Sequence, residues 1–204
     1  MKKLRLLFFI GLAATAAIVQ NTLSDGRVVQ TDGIVAGMSQ YSASTPEPVT
    51  EDVSLTPVLL SIPSLDIFDV TVEHVGLDAQ ERMDVPRDPL NVAWYERGPE
   101  PGKKGNAVIA GHFDLSNGDP GVFAHIGDLE TGDTVEVYDA AGKELTFKVV
   151  DIQVFSDAEF PISLVFGKHD TSRLNLITCA GEFDRERKNY SHRLVVFTEL
   201  AENQ

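Results

Sequence analysis

Leu174-Asn175-Leu176-Ile177-Thr178-Cys179 is an apolar run that closes on the only cysteine among 204 residues. A cysteine that closes such a run stands where a strand is expected to end, at a rim or cleft. Arg193-Leu194-Val195-Val196-Phe197 follows as a second run, led by an arginine. Upstream, Asn106-Ala107-Val108-Ile109-Ala110-Gly111 is a third, and it delivers His112 at its end. Three predicted strands therefore begin or end on a thiol, an imidazole and a guanidinium. Together these groups can supply a nucleophile, a proton shuttle and a stabiliser of developing negative charge.

Working outward, the rest of the C-terminal three quarters is also mostly β in pattern. Residues 58–62 form an apolar run stopped by Pro63, and 67–75 alternate roughly, with Ile67, Val70 and Val72 as apolar members. Residues 134–138 alternate, Ala141-Gly142 supplies a turn, and 144–155 place Leu145, Phe147, Val149, Ile152 and Val154 inward. Short strands punctuated by Gly, Pro and Asp predict an all-β sandwich or barrel. Helical patterns over 89–95, 122–129 and 158–166 are brief and read as crossovers within it.

Composition narrows the class. With 43% hydrophobic and 24% charged residues the chain can bury a core. Its net charge is −14. Residues 51–204 carry 28 acidic and 13 basic residues, so the acidity belongs to the segment predicted to fold. Nucleic acid is thereby disfavoured as a partner, because phosphate binding needs clustered Lys and Arg. One cysteine makes no intramolecular disulfide and no multi-cysteine zinc site.

Residues 1–20 read as an export signal or membrane anchor. Lys2, Lys3 and Arg5 precede a charge-free run of 14 residues, Leu6 to Val19. Positive residues before an apolar run hold that end in the cytoplasm. The run is shorter than the ~20 residues of a comfortable span, and Ala14-Thr15-Ala16 has the form of a cleavage site. Either outcome places the remainder outside the cytoplasmic membrane. Residues 21–56 are rich in Ser, Thr, Gly and Pro and read as an extracytoplasmic linker; residues 57–204 are the folded domain.

Each chemical group has a plainer reading as well. Free cysteines are among the most buried residues, so Cys179 is either a nucleophile or an inert core thiol. His112, leaving a strand after a glycine, is placed either in a cleft or in a polar loop. Arg193 lies near Cys179 if 174–178 pairs with 193–198; otherwise it is a surface arginine. His125 and His169 read as surface residues, and His192 points to the face opposite Arg193. Arg185 and Arg187 fall in a charged stretch that reads as a solvated loop.

Taken together the motifs resemble those of the sortases, cysteine transpeptidases of bacterial cell surfaces. Leu176-Ile177-Thr178-Cys179 is similar to the core of the family's Thr-Leu-X-Thr-Cys motif, with Asn175 where threonine is usual. Ile109-Ala110-Gly111-His112 resembles the segment bearing the family histidine, and Arg193-Leu194-Val195-Val196 the one bearing its arginine. The resemblance covers about residues 62–200. Asn91-Val92-Ala93-Trp94-Tyr95, with Pro101-Gly102 and Gly105-Asn106 after it, looks most like class F or neighbouring class E sortases of Gram-positive bacteria.

The resemblance implies an eight-stranded β-barrel with Cys179, His112 and Arg193 at one end. It implies attack of Cys179 on the Thr–Gly bond of a Leu-Pro-X-Thr-Gly sorting signal, with Arg193 at the oxyanion and His112 protonating the leaving amine. A peptidoglycan precursor amine or a pilin lysine then resolves the thioacyl enzyme, and water hydrolyses it slowly. No cofactor is implied. Asp114, Asp119 and Asp128 are available as loop acids, without a dedicated cluster, and no required metal is expected. Thr178 is expected beside the substrate, and Ile162 and Leu164 in the stretch AEFPISLVF are expected to form an apolar groove wall.

Two rivals are separable. L,D-transpeptidases carry their arginine almost directly after the cysteine, whereas Arg193 follows Cys179 by 14 residues. An exported β-sandwich binding module predicts a buried, unreactive Cys179.

Overall fold

Eight strands close on themselves in the computed structural model, which describes residues 53–202. They are β1 (Leu59–Ile62), β2 (Ile67–Val75), β3 (Val92–Tyr95), β4 (Gly105–Gly111), β5 (Thr134–Tyr138), β6 (Glu144–Ser156), β7 (Ser172–Asp184) and β8 (Asn189–Leu200). The order around the barrel is β1-β2-β3-β4-β7-β8-β6-β5. Two neighbouring pairs, β2 with β3 and β4 with β7, are parallel. The eight-stranded, nearly all-β barrel expected from the sequence resemblance is the architecture observed.

Alternation along the strands sorts side chains into two apolar groups. Leu60, Trp94, Ala107, Ile109, Val135, Val137, Phe147, Leu174, Leu176 and Val196 fill the barrel with Phe123, Ile126 and Leu129. Val108, Ile177, Val195 and Phe197 point the other way and form a second cluster with Val165. That outer cluster lies beneath a single turn of helix, α1 (Ile162–Val165). Val53 and Leu55, at the end of the stretch read as linker, pack with the barrel core. The proposed signal or anchor over 1–20 and most of the linker lie outside the described residues.

The helical reading of 89–95 is corrected: Val92–Tyr95 is β3. Val92, Ala93 and Trp94 are all buried, because β3 runs between β2 and β4 and has protein on both faces. A short surface helix buries one stripe only; a central strand buries consecutive residues. The stretch 122–129 forms turns and a 3-10 segment, Ile126–Asp128. Its apolar spacing is real, since Phe123, Ile126 and Leu129 are all buried. Residues 158–166 divide at Pro161 into a 3-10 segment, Asp157–Glu159, and α1.

In β6 the inward set jumps from Val149 to Ile152 because a register shift lies between Val149 and Asp151. The bulge inserts one residue and restores the apolar parity beyond it. Ile152 packs against the barrel core, whereas Val154 is 55% exposed at the barrel rim opposite Leu194.

Candidate active site

Register alone brings the three sequence candidates together. Cys179 on β7 is the direct partner of Arg193 on antiparallel β8. On the other side β7 runs parallel to β4, with Ala110 opposite Ile177. Two residues further along, the same offset sets His112 level with Cys179. Val108, Ile177 and Val195 belong to the outer cluster, so alternation puts His112, Cys179 and Arg193 on that same outer face. The thiol thus sits on the middle strand of three, between the imidazole and the guanidinium.

The segment carrying His112 is held from below and above. Its carbonyl accepts the N–H of Phe123 at 2.9 Å, and the Gly121 N–H donates to Phe113 O at 2.9 Å. Gly121 approaches so closely that a Cβ there would lie 2.3 Å from His112 O. Gly111 is equally constrained, since a Cβ would lie 2.6 Å from the buried Phe123 ring. Thr178 is buried on the barrel side, and its hydroxyl donates to Gly111 O at 3.0 Å. That bond ties β7 to the end of β4 one residue before both the cysteine and the histidine.

Cys179 is partly exposed. Partial burial pushes its thiol pKa up, opposed by the nearby positive charge of Arg193 and reinforced by the carboxylates of Asp114 and Asp157. The balance favours the protonated thiol. Desolvation outweighs the lowering effect of the Arg193 charge.

Arg193 is fixed by four contacts. Nη1 donates to Tyr190 O (3.0 Å) and His192 O (2.9 Å), and Nη2 reaches Asn189 Oδ1 (2.7 Å) and Asp157 Oδ1 (3.2 Å). Its Nε–H takes part in none of these. Asn189 Nδ2 also donates to Asp157 Oδ2 at 3.1 Å. The ion pair lets the guanidinium stay in one orientation while half-buried.

Beside His112, Tyr190 OH donates to Asp114 Oδ2 at 2.6 Å. This bond is the main reason the Tyr190 phenol is pushed up to about 12. Phe113 and Phe183 flank the Tyr190 ring at centroid distances of 5.6 and 5.1 Å.

Of the proposed groove residues, Ile162 is 68% and Leu164 45% exposed on α1, while Val165 is the residue that packs beneath it. Among the competing histidines, His125 pairs with Asp128 in solvent, His169 turns onto Thr171, and His74 contacts Pro57 O. His192 stands opposite Ala180, one residue out of phase with Arg193. Arg185 and Arg187 lie in the exposed turn between β7 and β8. Among the described residues no three His, Cys, Asp or Glu side chains are gathered as metal ligands would be. A cleft of about 450 Å³ lies elsewhere, lined by Glu73, His74, Asp84, Arg87 and Glu96. Its charged lining does not suit an apolar peptide.

Sequence reasoning did not identify Asp157, Asn189, Tyr190 or Gly121. Only Gly121 carried a local signal, as a glycine after Pro120 close to the histidine in sequence; the others meet the site through tertiary pairing.

Solved structures of the same fold come from several bacteria. Sortase A from Corynebacterium diphtheriae is 21% identical, with a TM-score of 0.54 over 74% of this chain and 63% of that one. Sortase C-1 from Actinomyces oris is 23% identical, with a TM-score of 0.55 over 73% and 77%. A Clostridium perfringens sortase D5 transpeptidase is 20% identical, with a TM-score of 0.52 over 71% and 78%. The chain matches no curated protein. A family model described as a sortase domain matches residues 60–201, which run from within β1 through β8 and include Cys179, His112 and Arg193; the chain belongs to the sortase family.

Proposed function

We propose that this protein is a cysteine transpeptidase that cleaves the Thr–Gly bond of a Leu-Pro-X-Thr-Gly-like sorting signal and joins the threonine to an amine. The observation that supports the reading is the register: Cys179 on β7 pairs with Arg193 on β8, and His112 directly follows β4, the strand parallel to β7 on its other side. The Cys179 sulfur attacks the threonine carbonyl as His112 takes the thiol proton. The resulting oxyanion is stabilised by Arg193, whose orientation is set by Asp157 and Asn189. Collapse breaks the C–N bond, and the His112 imidazolium gives its proton to the glycine amine. An incoming amine then attacks the thioester, the thiolate leaves, and the amine proton passes to His112.

The raised thiol pKa is compatible with this sequence, since proton removal is coupled to attack. The acceptor is a peptidoglycan precursor amine or a pilin lysine, with water as a slow substitute. Thr178 fixes the spacing behind the nucleophile, and Ile162 and Leu164 offer apolar surface to the signal's Leu-Pro. The apolar run from Leu6 to Val19 supports attachment to the membrane with the barrel outside. The segment from Asn91 to Tyr95 supports assignment to class F or class E.

The test is a quenched Leu-Pro-X-Thr-Gly peptide with a glycine-based amine, assayed on the wild type and Cys179→Ala. Cleavage with a trapped thioacyl adduct, absent in Cys179→Ala, is the expected result. A folded protein whose thiol resists alkylation and that cleaves no peptide across a panel at the second position refutes the reading.

A further inference from the structure

Two asparagines outside the reacting trio are buried on the outer face, among apolar side chains. Asn175 is 0% and Asn106 2% exposed. Asn175 Nδ2 donates to Val165 O at 2.8 Å. Asn106 Nδ2 donates to Gly167 O at 2.8 Å and to Leu164 O at 3.2 Å. Carbonyls only accept, so these contacts fix which way each amide points. The last carbonyls of any helix lack intrahelical partners, and those of α1 find theirs in the barrel wall.

The turn is tight at that end. A Cβ on Gly167 would lie 2.1 Å from Ser163 O. At its other end the same segment is tied by Asp157 to Arg193 and Asn189. Between the ties, Val165 is buried in the outer cluster, Phe160 meets Phe155 and Phe166 meets Tyr95 edge-on. Residues 157–167 therefore form a strap fastened at both ends beside the thiol.

We infer that Asn106 and Asn175 are positioning residues that set where this strap stands and thereby select the first residues of the bound peptide. The inference rests on the sortase reading of the site. Asn175 and Cys179 share a strand and a face, four residues or about 13 Å apart. An extended peptide with its threonine carbonyl at Cys179, running down this face, carries its leucine about 10 Å away. That places the leucine near Ile177 and the strap. A leucine at 175 would join the surrounding apolar cluster at no desolvation cost; the amide instead fixes one position of the helix end.

The experiment compares the full-length wild type with Asn175→Leu, Asn106→Leu and the double variant. Three readouts are taken: amide hydrogen exchange over 162–167, KM and kcat for a Leu-Pro-X-Thr-Gly peptide, and the alkylation rate of Cys179. Loss of a hydrogen bond to a buried carbonyl predicts about a tenfold rise in exchange and in KM. Turnover at saturation and alkylation stay within about twofold, because the reacting groups are on other residues. Gly167→Ala disturbs the same turn without touching the barrel and should give the same signature, should an asparagine variant fail to fold. Unchanged exchange in the folded double variant overturns the clamp. Raised exchange with unchanged KM, or a fall in kcat alone, overturns its role in recognition. If the wild type cleaves no such peptide, the Leu-Pro-X-Thr-Gly reading of the substrate falls while exchange still decides the clamp.

Discussion

Replacing Gly121 with alanine should impair the proposed transpeptidation by displacing His112, with none of the three proposed reacting side chains replaced. The φ of Gly121 lies outside the left-handed region, so alanine's backbone is allowed and only the added carbon is at issue. That carbon would lie 2.3 Å from His112 O, 2.6 Å from its carbonyl carbon and 2.9 Å from its Cβ. Real Cβ contacts stay beyond 3.0 Å, so the gap must open by at least 0.7 Å. Neither side yields freely: Gly111, before His112, is pressed on Phe123, and Phe123 itself is buried and bonded to His112 O. Misplacing a catalytic group by about 1 Å costs on the order of 100-fold in rate, or about 2.7 kcal/mol of transition-state stabilisation. The expected result is a fall of about 30- to 100-fold in kcat/KM for transpeptidation. Cys179 alkylation should remain near wild type, since β7 is undisturbed. A folded Gly121→Ala protein within about threefold of wild type would show that the His112 segment relaxes without consequence or that His112 is not the required acid and base.

Further outcomes concern the thiol and the core. Because Arg193 lowers the Cys179 pKa, Arg193→Gln should move the midpoint of the alkylation–pH profile up; because Asp114 raises it, Asp114→Asn should move it down. An unmoved midpoint in both would remove these charges from the site's electrostatics. Asp114→Asn should also return the Tyr190 phenol from about 12 toward its ordinary 10, read by phenolate absorbance. The Tyr190 pKa is raised on folding, so the stability from the Asp114–Tyr190 bond is full below pH 10 and fades as pH rises toward 12; denaturant unfolding of both proteins across that window checks this. Gly111→Ala drives a Cβ to 2.6 Å from the Phe123 ring and should destabilise the barrel by about 1–3 kcal/mol in urea unfolding. A change below about 0.5 kcal/mol would mean that the core absorbs a methyl group there.

Most strands were legible because burial imposes a periodicity on the chain. The inward set read for β6 held both Val149 and Ile152, and it is the register shift between Val149 and Asp151, seen in the structure, that puts both on one face. Val92–Tyr95 misled because a four-residue strand flanked on both sides has no alternation to read, and Pro89 imitates a helix start. At the site, Cys179, His112 and Arg193 were visible as unusual groups at the ends of apolar runs, but only His112 stands at a strand end: β7 continues past Cys179 to Asp184 and β8 begins at Asn189, before Arg193. Their supports were not visible. Asp157 and Asn189 reach Arg193 from a 3-10 segment and a hairpin end, and nothing in either local sequence announces a guanidinium. Asn175 stood out only as a departure from a motif, and its purpose depends on a helix ten residues upstream.

The parallel pairing of β4 with β7 also bears on how the protein reaches its working form. Gly111 and Thr178, joined by a hydrogen bond, are 67 residues apart in sequence. Pairings of such long range form slowly, because loop closure precedes the contacts that reward it. Strands β1 to β6 carry His112 at the end of β4 but leave the ring open between β4 and β6. Cys179 meets the His112 segment only when β7 and β8 fill the gap between β4 and β6, which also shuts the barrel. The proposed site therefore requires the closed ring, and recovery of peptide cleavage after dilution from denaturant should report on barrel assembly.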